Sequence, residues 1–133
     1  MHSPRATWQS AAVLLGVLIA GGISAVNEPA NAATGNAAAG EKVFTRCAVC
    51  HSNQAGVNKV GPSLDGVVGR KSGTEPGYNY SPAMKSAGLT WDQATLDKFL
   101  QGPSSLVHGT KMFLSVPSET DRQNVIAYLE TLK

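Results

Sequence analysis

The chain has 133 residues, with 11 Lys and Arg against 9 Asp and Glu, so its formal net charge is only +2 at pH 7. Proteins that bind nucleic acid need clustered cationic side chains, and a balance this weak argues against that class of partner. The length predicts one compact domain, with the N-terminal end to be considered separately.

The N-terminal end has the pattern of a secretory signal. Arg5 precedes an uncharged apolar run of 16 residues, AAVLLGVLIAGGISAV, and the small-residue pattern ANA ends at Ala32. The run contains three glycines and is short for a membrane anchor, which needs roughly 20 apolar residues. We therefore predict a signal peptide at residues 1–32 and a mature domain at 33–133. An uncleaved anchor is the alternative.

The first half of the mature domain predicts one helix and a long loop. A helix should start near Asn36 and run into the cysteine pair. Residues 61–80, GPSLDGVVGRKSGTEPGYNY, are rich in turn residues and predict a loop about twenty residues long. A short helix is expected from Ser81 to Ala87, because Pro82 suits a first helical position. A loop this long in so small a domain needs something to pack on.

Two longer helices are predicted in the second half. Thr90 and Gln93 form a capping-box pattern ahead of the apolar side chains of WDQATLDKFLQ, and Gly102 and Pro103 should stop that helix. The last helix should begin at Ser118. Its apolar positions are Val125, Ile126, Tyr128, Leu129 and Leu132. No alternating strand pattern occurs, so the chain is expected to be all-α.

The stretch CAVCH places the only two cysteines, Cys47 and Cys50, directly before His51. A redox-active dithiol motif is usually part of a strand–helix unit, and no strand is predicted before Cys47. Zinc would need all of these side chains together with His108. The third interpretation is a c-type haem, because two thiols three positions apart suit the two vinyl groups of a porphyrin and the next imidazole can reach the iron. An export signal also supplies the compartment for that attachment.

Several segments extend this interpretation. GEKVFTRCAVCH, VGPSLDGVVGRKSG, PGYNYSPAMKSAGLTW, TLDKFL and HGTKM occur in the order and spacing of the class I cytochromes c, and residues 40–133 resemble that family. The resemblance implies a cytochrome c fold, with three main helices plus a short one and long loops wrapped around one haem. It also implies that this haem c is covalently bound through Cys47 and Cys50.

The resemblance implies an iron ligand on each face of the haem. His51 is the expected proximal ligand, and Met112 of GTKM is the expected second ligand. Met84 is the competing methionine, but it lies outside that motif. Pro62 matches a proline whose carbonyl accepts the other imidazole hydrogen of the proximal histidine.

Three further residues match family positions near the haem propionates. Tyr80 and Trp91 match side chains that bond a propionate, and Arg70 matches an arginine that compensates its charge. Core packing alone would also explain Trp91.

A separate set of matches is structural. Gly40, Phe44 and Tyr128 match the crossing of the first and last helices, where the missing side chain of glycine lets an aromatic ring approach.

The function implied is that of a soluble periplasmic one-electron carrier, not an enzyme. As a monomer it would dock transiently, at its exposed haem edge, on membrane-bound donor and acceptor complexes. The docking surface should be basic but thin, with Arg46, Lys59 and Lys111 as its cations and none in the segment FLSVPS after Met112. The alternative is a haem peroxidase or a gas-binding haem protein, either of which would need a labile sixth ligand.

Overall fold

The computed structural model of the chain describes residues 34–133, so the predicted signal peptide lies outside the described residues. Five helices follow one another: α1 (Ala37–Cys47), α2 (Pro82–Ser86), α3 (Gln93–Gln101), α4 (Pro103–Leu106) and α5 (Glu119–Leu129). The only extended pairing in this range is a single bridge between Lys71 and Thr90. The all-α prediction is confirmed. None of the helices between residues 34 and 133 combines the length and hydrophobicity needed to cross a bilayer.

The crossing of α1 and α5 forms one side of the core. A Cβ atom at Gly40 would overlap the Asn124 carbonyl and stand 2.9 Å from Cβ of Tyr128, so only glycine allows the two helices to approach this closely. The Phe44 and Tyr128 rings then meet with their centroids 5.1 Å apart. The predicted helix crossing is confirmed. The start of α1 is also confirmed, because the Asn36 side chain accepts the Ala39 amide at 2.9 Å.

The predicted start of α3 was wrong. The Asp92 side chain, not Thr90, caps the helix by accepting the Thr95 amide at 2.8 Å. Thr90 instead pairs with Lys71 in the isolated bridge. The capping-box pattern misled because a carboxylate two residues later is a stronger acceptor for the free helix amides, and because tertiary pairing holds Thr90 in extended backbone.

Of the two short helices, α2 was predicted from the sequence and α4 was not. Ser81 caps α2 as its hydroxyl accepts the Met84 amide at 3.2 Å, and Pro82 is the first helical residue as predicted. Gly102 ends α3, but Pro103 then begins the four-residue helix α4. Proline cannot continue a helix, yet its fixed φ suits the first position of a new one.

The loop between α1 and α2 is ordered by polar side chains. Asn58 accepts the Ser63 amide at 2.9 Å and donates to the Pro76 carbonyl at 2.9 Å, so it joins the two halves of the loop. The Ser63 hydroxyl, which is fully buried, donates to the Gln54 carbonyl at 2.7 Å. These bonds satisfy backbone groups that no helix pairs, and they fix the segments that carry the candidate site.

Arg122 fixes the segment between α4 and α5. It is 5 % exposed and donates to the carbonyls of Val116 at 3.0 Å and Pro117 at 2.8 Å. Its Nε atom donates to Asp97 at 2.7 Å. Val116 is bonded in turn to the Leu100 carbonyl at 2.7 Å. The chain that follows Met112 is thereby anchored to both α3 and α5.

Candidate haem site

The cysteine pair and His51 lie on a single turn at the end of α1. The helix ends at Cys47, whose carbonyl accepts the amides of Cys50 at 3.0 Å and His51 at 2.8 Å. Cys47 is buried and Cys50 is partly exposed, and the two are not joined by a disulfide. Burial raises the pKa of the Cys47 thiol, and the charge of Arg46 partly offsets that effect. The turn therefore carries two cysteine sulfur atoms and one imidazole within a segment of five residues.

The orientation of His51 is set by the loop after it. Its Nδ1 atom lies 2.7 Å from the Pro62 carbonyl oxygen, which can only accept, so Nδ1 carries the hydrogen. Burial lowers the pKa of His51, which keeps the ring neutral near pH 7. Nε2 is left with its lone pair available for a metal ion. This is the hydrogen-bond arrangement that metal-bound histidines usually have.

Gly61 is a site residue that the sequence reasoning missed. A Cβ atom at this position would lie 2.6 Å from Nδ1 and 2.9 Å from Nε2 of His51, too close for any side chain. Gly61 also donates its amide to the Cys50 carbonyl at 2.7 Å. The backbone thus forms a close-fitting wall against one side of the imidazole. Its position directly before Pro62 was visible in the sequence, but its contact with His51 was not.

The zinc alternative for the cysteine pair finds no support. Among residues 34–133, no three His, Cys, Asp or Glu side chains gather as a metal ion would require. His108, which a zinc site would have to recruit, is exposed.

Arg70 lies on the long loop with its guanidinium group almost fully engaged. Nη1 forms an ion pair with Glu75 and donates to the Asp65 carbonyl at 3.1 Å, while Nη2 donates to the Ser63 carbonyl at 2.8 Å. Nε is buried and has no partner within the described part of the chain. A buried, unpartnered guanidinium N–H is an unfavourable state, and a carboxylate bound beside it would relieve that state.

Tyr80 and Trp91 are linked to Arg70. The Glu75 amide donates to the Tyr80 hydroxyl at 3.3 Å, and burial raises the pKa of the Tyr80 phenol, which therefore keeps its proton. Trp91 is buried and donates its backbone amide to the Arg70 carbonyl at 2.9 Å. The three residues that the family resemblance places near the haem propionates thus belong to one connected region. Glu75, which joins two of them, was not identified from the sequence.

The two competing methionines differ in their surroundings. Met84 lies on α2, is 7 % exposed and belongs to the buried core. Met112 lies in a loop, is partly buried and packs against that core. The ammonium group of the preceding Lys111 donates to the Asn79 carbonyl at 2.6 Å, which ties the Met112 loop to the segment carrying Tyr80.

These residues fit a haem c. The donors comprise two thiols for covalent attachment, a neutral imidazole with a free Nε2, and a thioether on an anchored loop. Arg70 and Tyr80 add hydrogen-bond donors suited to carboxylates, and the buried Nε of Arg70 has no acceptor among the described residues.

Comparison with known proteins agrees with this chemistry. The family model described as Cytochrome c matches residues 37–133. Cytochrome c of Euglena viridis is 50% identical over 101 residues, covering 74% of this chain and 99% of that protein. Cytochrome c2 of Rhodomicrobium vannielii is 50% identical over 103 residues, covering 74% of this chain and 81% of that protein.

Solved structures show the same relationship. Cytochrome cH from Methylobacterium extorquens superposes with a TM-score of 0.69 at 48% identity, covering 73% of this chain and 99% of that one. Cytochrome c2 from Rhodospirillum centenum gives a TM-score of 0.71 at 34% identity, covering 74% and 98%. The chain therefore belongs to the cytochrome c family, as an electron carrier and not an enzyme, with one haem c attached covalently through Cys47 and Cys50.

Proposed function

We propose that the chain is a periplasmic one-electron carrier whose haem iron is held between His51 and Met112. When bound, the haem supplies a single-electron couple at its iron. The observation that carries the proposal is the neutral His51 ring, whose Nδ1 hydrogen bonds to the Pro62 carbonyl at 2.7 Å and whose Nε2 is free, directly after the two attachment cysteines. The chain's own contribution is to keep this ring in one orientation in both oxidation states.

Met112 is the residue that would supply the second ligand to the iron. A thioether paired with an imidazole favours ferrous iron and so raises the reduction potential. With His51 and Met112 both bound to the iron, no position would be left for oxygen or peroxide, which would suit electron transfer. The loop that carries Met112 is held before this residue by the hydrogen bond from Lys111 to the Asn79 carbonyl. After Met112 it is held by the hydrogen bonds from Arg122 to the Val116 and Pro117 carbonyls. Such support limits the movement that would otherwise accompany each change of oxidation state.

The location and partners follow from the same proposal. The signal pattern at residues 1–32 supports export to the periplasm, leaving the haem domain at 33–133. The proposed donor and acceptor are membrane-bound redox complexes, which a monomer would meet in turn through transient docking. N-terminal sequencing of the exported protein tests this part, and a mature chain that still begins before residue 30 would contradict cleavage after the ANA pattern.

The ligand assignment is tested with Met112→Ala and the control Met84→Leu in the holoprotein. Met112→Ala should keep a normal pyridine haemochrome spectrum but lose the weak Fe–S absorption at the red end of the ferric spectrum. Its iron should become high-spin and its midpoint potential should fall, because only the sixth ligand is removed. Met84→Leu should keep the Fe–S band.

Two results would overturn the proposal. Loss of the Fe–S band in Met84→Leu but not in Met112→Ala would assign the sixth ligand to Met84. A high-spin ferric spectrum with rapid carbon monoxide binding in the unmodified protein would show an open sixth position, as a haem enzyme or a gas-binding protein requires.

A further inference from the structure

Glu75 is a buried carboxylate to which electron transfer so far gives no role. Its side chain is 8 % exposed, and it forms an ion pair with Arg70, whose side chain is 16 % exposed. Removing both charges from water costs free energy, and such a pair is weak evidence for stability alone. A largely buried pair beside the candidate haem site therefore calls for a functional explanation.

The contacts of Arg70 show what Glu75 does to it. Glu75 forms its ion pair with Nη1, and the Ser63 carbonyl accepts a hydrogen bond from Nη2 at 2.8 Å. Because the guanidinium is planar and rigid, these contacts also fix the direction of the third donor, Nε. Nε is the buried atom that has no partner in the described chain.

The charges lead to a second consequence. The family resemblance predicts that Arg70 compensates the negative charge of a haem propionate. In the structure, however, the positive charge of Arg70 is already paired with the carboxylate of Glu75. The neighbouring phenol of Tyr80 adds no charge, since burial raises its pKa. Lys111, the cation tied to the adjacent Asn79, is exposed and its charge is screened by solvent. A propionate in this region would therefore find hydrogen-bond donors but little net positive charge.

We propose that Glu75 is a positioning residue for the haem: it fixes Arg70 with Nε directed at a propionate, and its negative charge lowers the reduction potential of the iron. The inference rests on the proposed function. A fixed negative charge stabilises ferric haem relative to ferrous haem, and burial leaves that interaction only weakly screened. The propionate thereby has a hydrogen-bond donor in a fixed direction, the Nε of Arg70. The iron does not experience the positive charge of an unpaired arginine, which would raise its reduction potential.

The test is potentiometric titration of the holoprotein carrying Glu75→Gln, with Glu41→Gln as the matched control. Both variants remove one negative charge, but Glu41 is an exposed residue of α1. Both variants are compared with the unmodified protein. The rise in midpoint potential caused by Glu75→Gln should be several-fold larger than the rise caused by Glu41→Gln. Glu75→Asp, which keeps the charge, should stay close to the unmodified protein. The propionate bending modes in the resonance Raman spectrum should shift in Glu75→Gln and not in Glu41→Gln.

The outcomes separate this inference from the proposed function. If the pyridine haemochrome and the Fe–S band are normal but Glu75→Gln shifts the potential no more than Glu41→Gln, the role of Glu75 is excluded while the carrier stands. If those spectra are already abnormal in the unmodified protein, the proposed function itself fails. Should Glu75→Gln not accumulate, Glu75→Ala is titrated against the same control, and the absence of a rise contradicts the proposal equally.

Discussion

At the scale of the residue, Gly61 is required by the space that the His51 imidazole occupies. Gly61→Ala would place a Cβ atom 2.6 Å from Nδ1 of that ring, so either the ring turns or the loop retreats. Both movements disturb the bond between His51 and the Pro62 carbonyl. We expect a lower yield of holoprotein and a weakened Fe–S band, measured by the pyridine haemochrome assay and the ferric absorption spectrum.

The control for this change is Gly66→Ala. Gly66 has a φ of 61° and no atom within 4 Å of the added methyl group, so its substitution carries only the backbone cost of a left-handed conformation. That cost should lower stability without altering the haem spectrum. Identical spectra for the two variants would show that contact with His51 does not matter.

At the scale of the element, the start of α3 makes stability depend on pH. The hydrogen bond from the Thr95 amide lowers the pKa of Asp92 from its ordinary value of 3.8. Because the folded pKa is below the unfolded one, this contribution is complete above the unfolded value and is lost as pH falls through the folded value. Asp92→Asn keeps a good capping side chain without a titrating group.

Urea unfolding from about pH 5 downward measures this effect. The free energy of unfolding of the unmodified protein should fall more steeply with acidification than that of Asp92→Asn. Parallel curves would mean that the cap does not contribute to acid sensitivity.

The crossing of α1 and α5 gives a second prediction at this scale. Alanine is intrinsically better than glycine in a helix by about 1 kcal/mol, yet Gly40→Ala should destabilise the protein by about 1–3 kcal/mol. The reason is the overlap of the new methyl group with the Asn124 carbonyl and Tyr128. Urea unfolding checks this, with Ala38→Gly at an exposed position of α1 giving the propensity effect alone. A stabilised Gly40→Ala would show that the helices can separate at little cost.

At the scale of the whole molecule, the surface near the site combines exposed apolar side chains with the three cations Arg46, Lys59 and Lys111. Arg46 and Lys59 are exposed, but the Lys59 ammonium group is held by the Ala48 carbonyl at 2.7 Å. Exposed apolar side chains lie along the same segments, several of them beside site residues in the sequence. They are Val49 at 76 %, Val60 at 77 %, Phe113 at 82 % and Leu114 at 46 % exposure. With few cations to steer a partner, apolar contact should carry much of the docking free energy.

The electron-transfer rate to a physiological partner across a salt series measures this balance. We expect a shallow decline as salt reduces the Debye length to roughly 10 Å at 0.1 M. Leu114→Ala should slow the reaction at every salt concentration, whereas Arg46→Ala should act mainly at low salt. A steep decline with salt, together with an unchanged rate for Leu114→Ala, would show that charge dominates docking.

The sequence by itself determined the features that depend on neighbouring residues. The order of Cys47, Cys50 and His51, the cap at Asn36 and the first position of α2 at Pro82 are local, because each involves residues within about one helical turn. The crossing at Gly40 was predictable only through the family resemblance, since its partner Tyr128 lies on the last helix. The signal pattern at residues 1–32 also depends on sequence alone.

Only the tertiary structure decided how the long loop meets the site. It brought Gly61 against His51, turned the Arg70 guanidinium toward Glu75, and held Thr90 in a bridge so that Asp92 became the cap. No periodic pattern marks such contacts, because a loop without helical or strand repeat does not present its side chains on a regular face. Their partners are fixed instead by buried hydrogen bonds across the loop, which form only once the whole chain has packed.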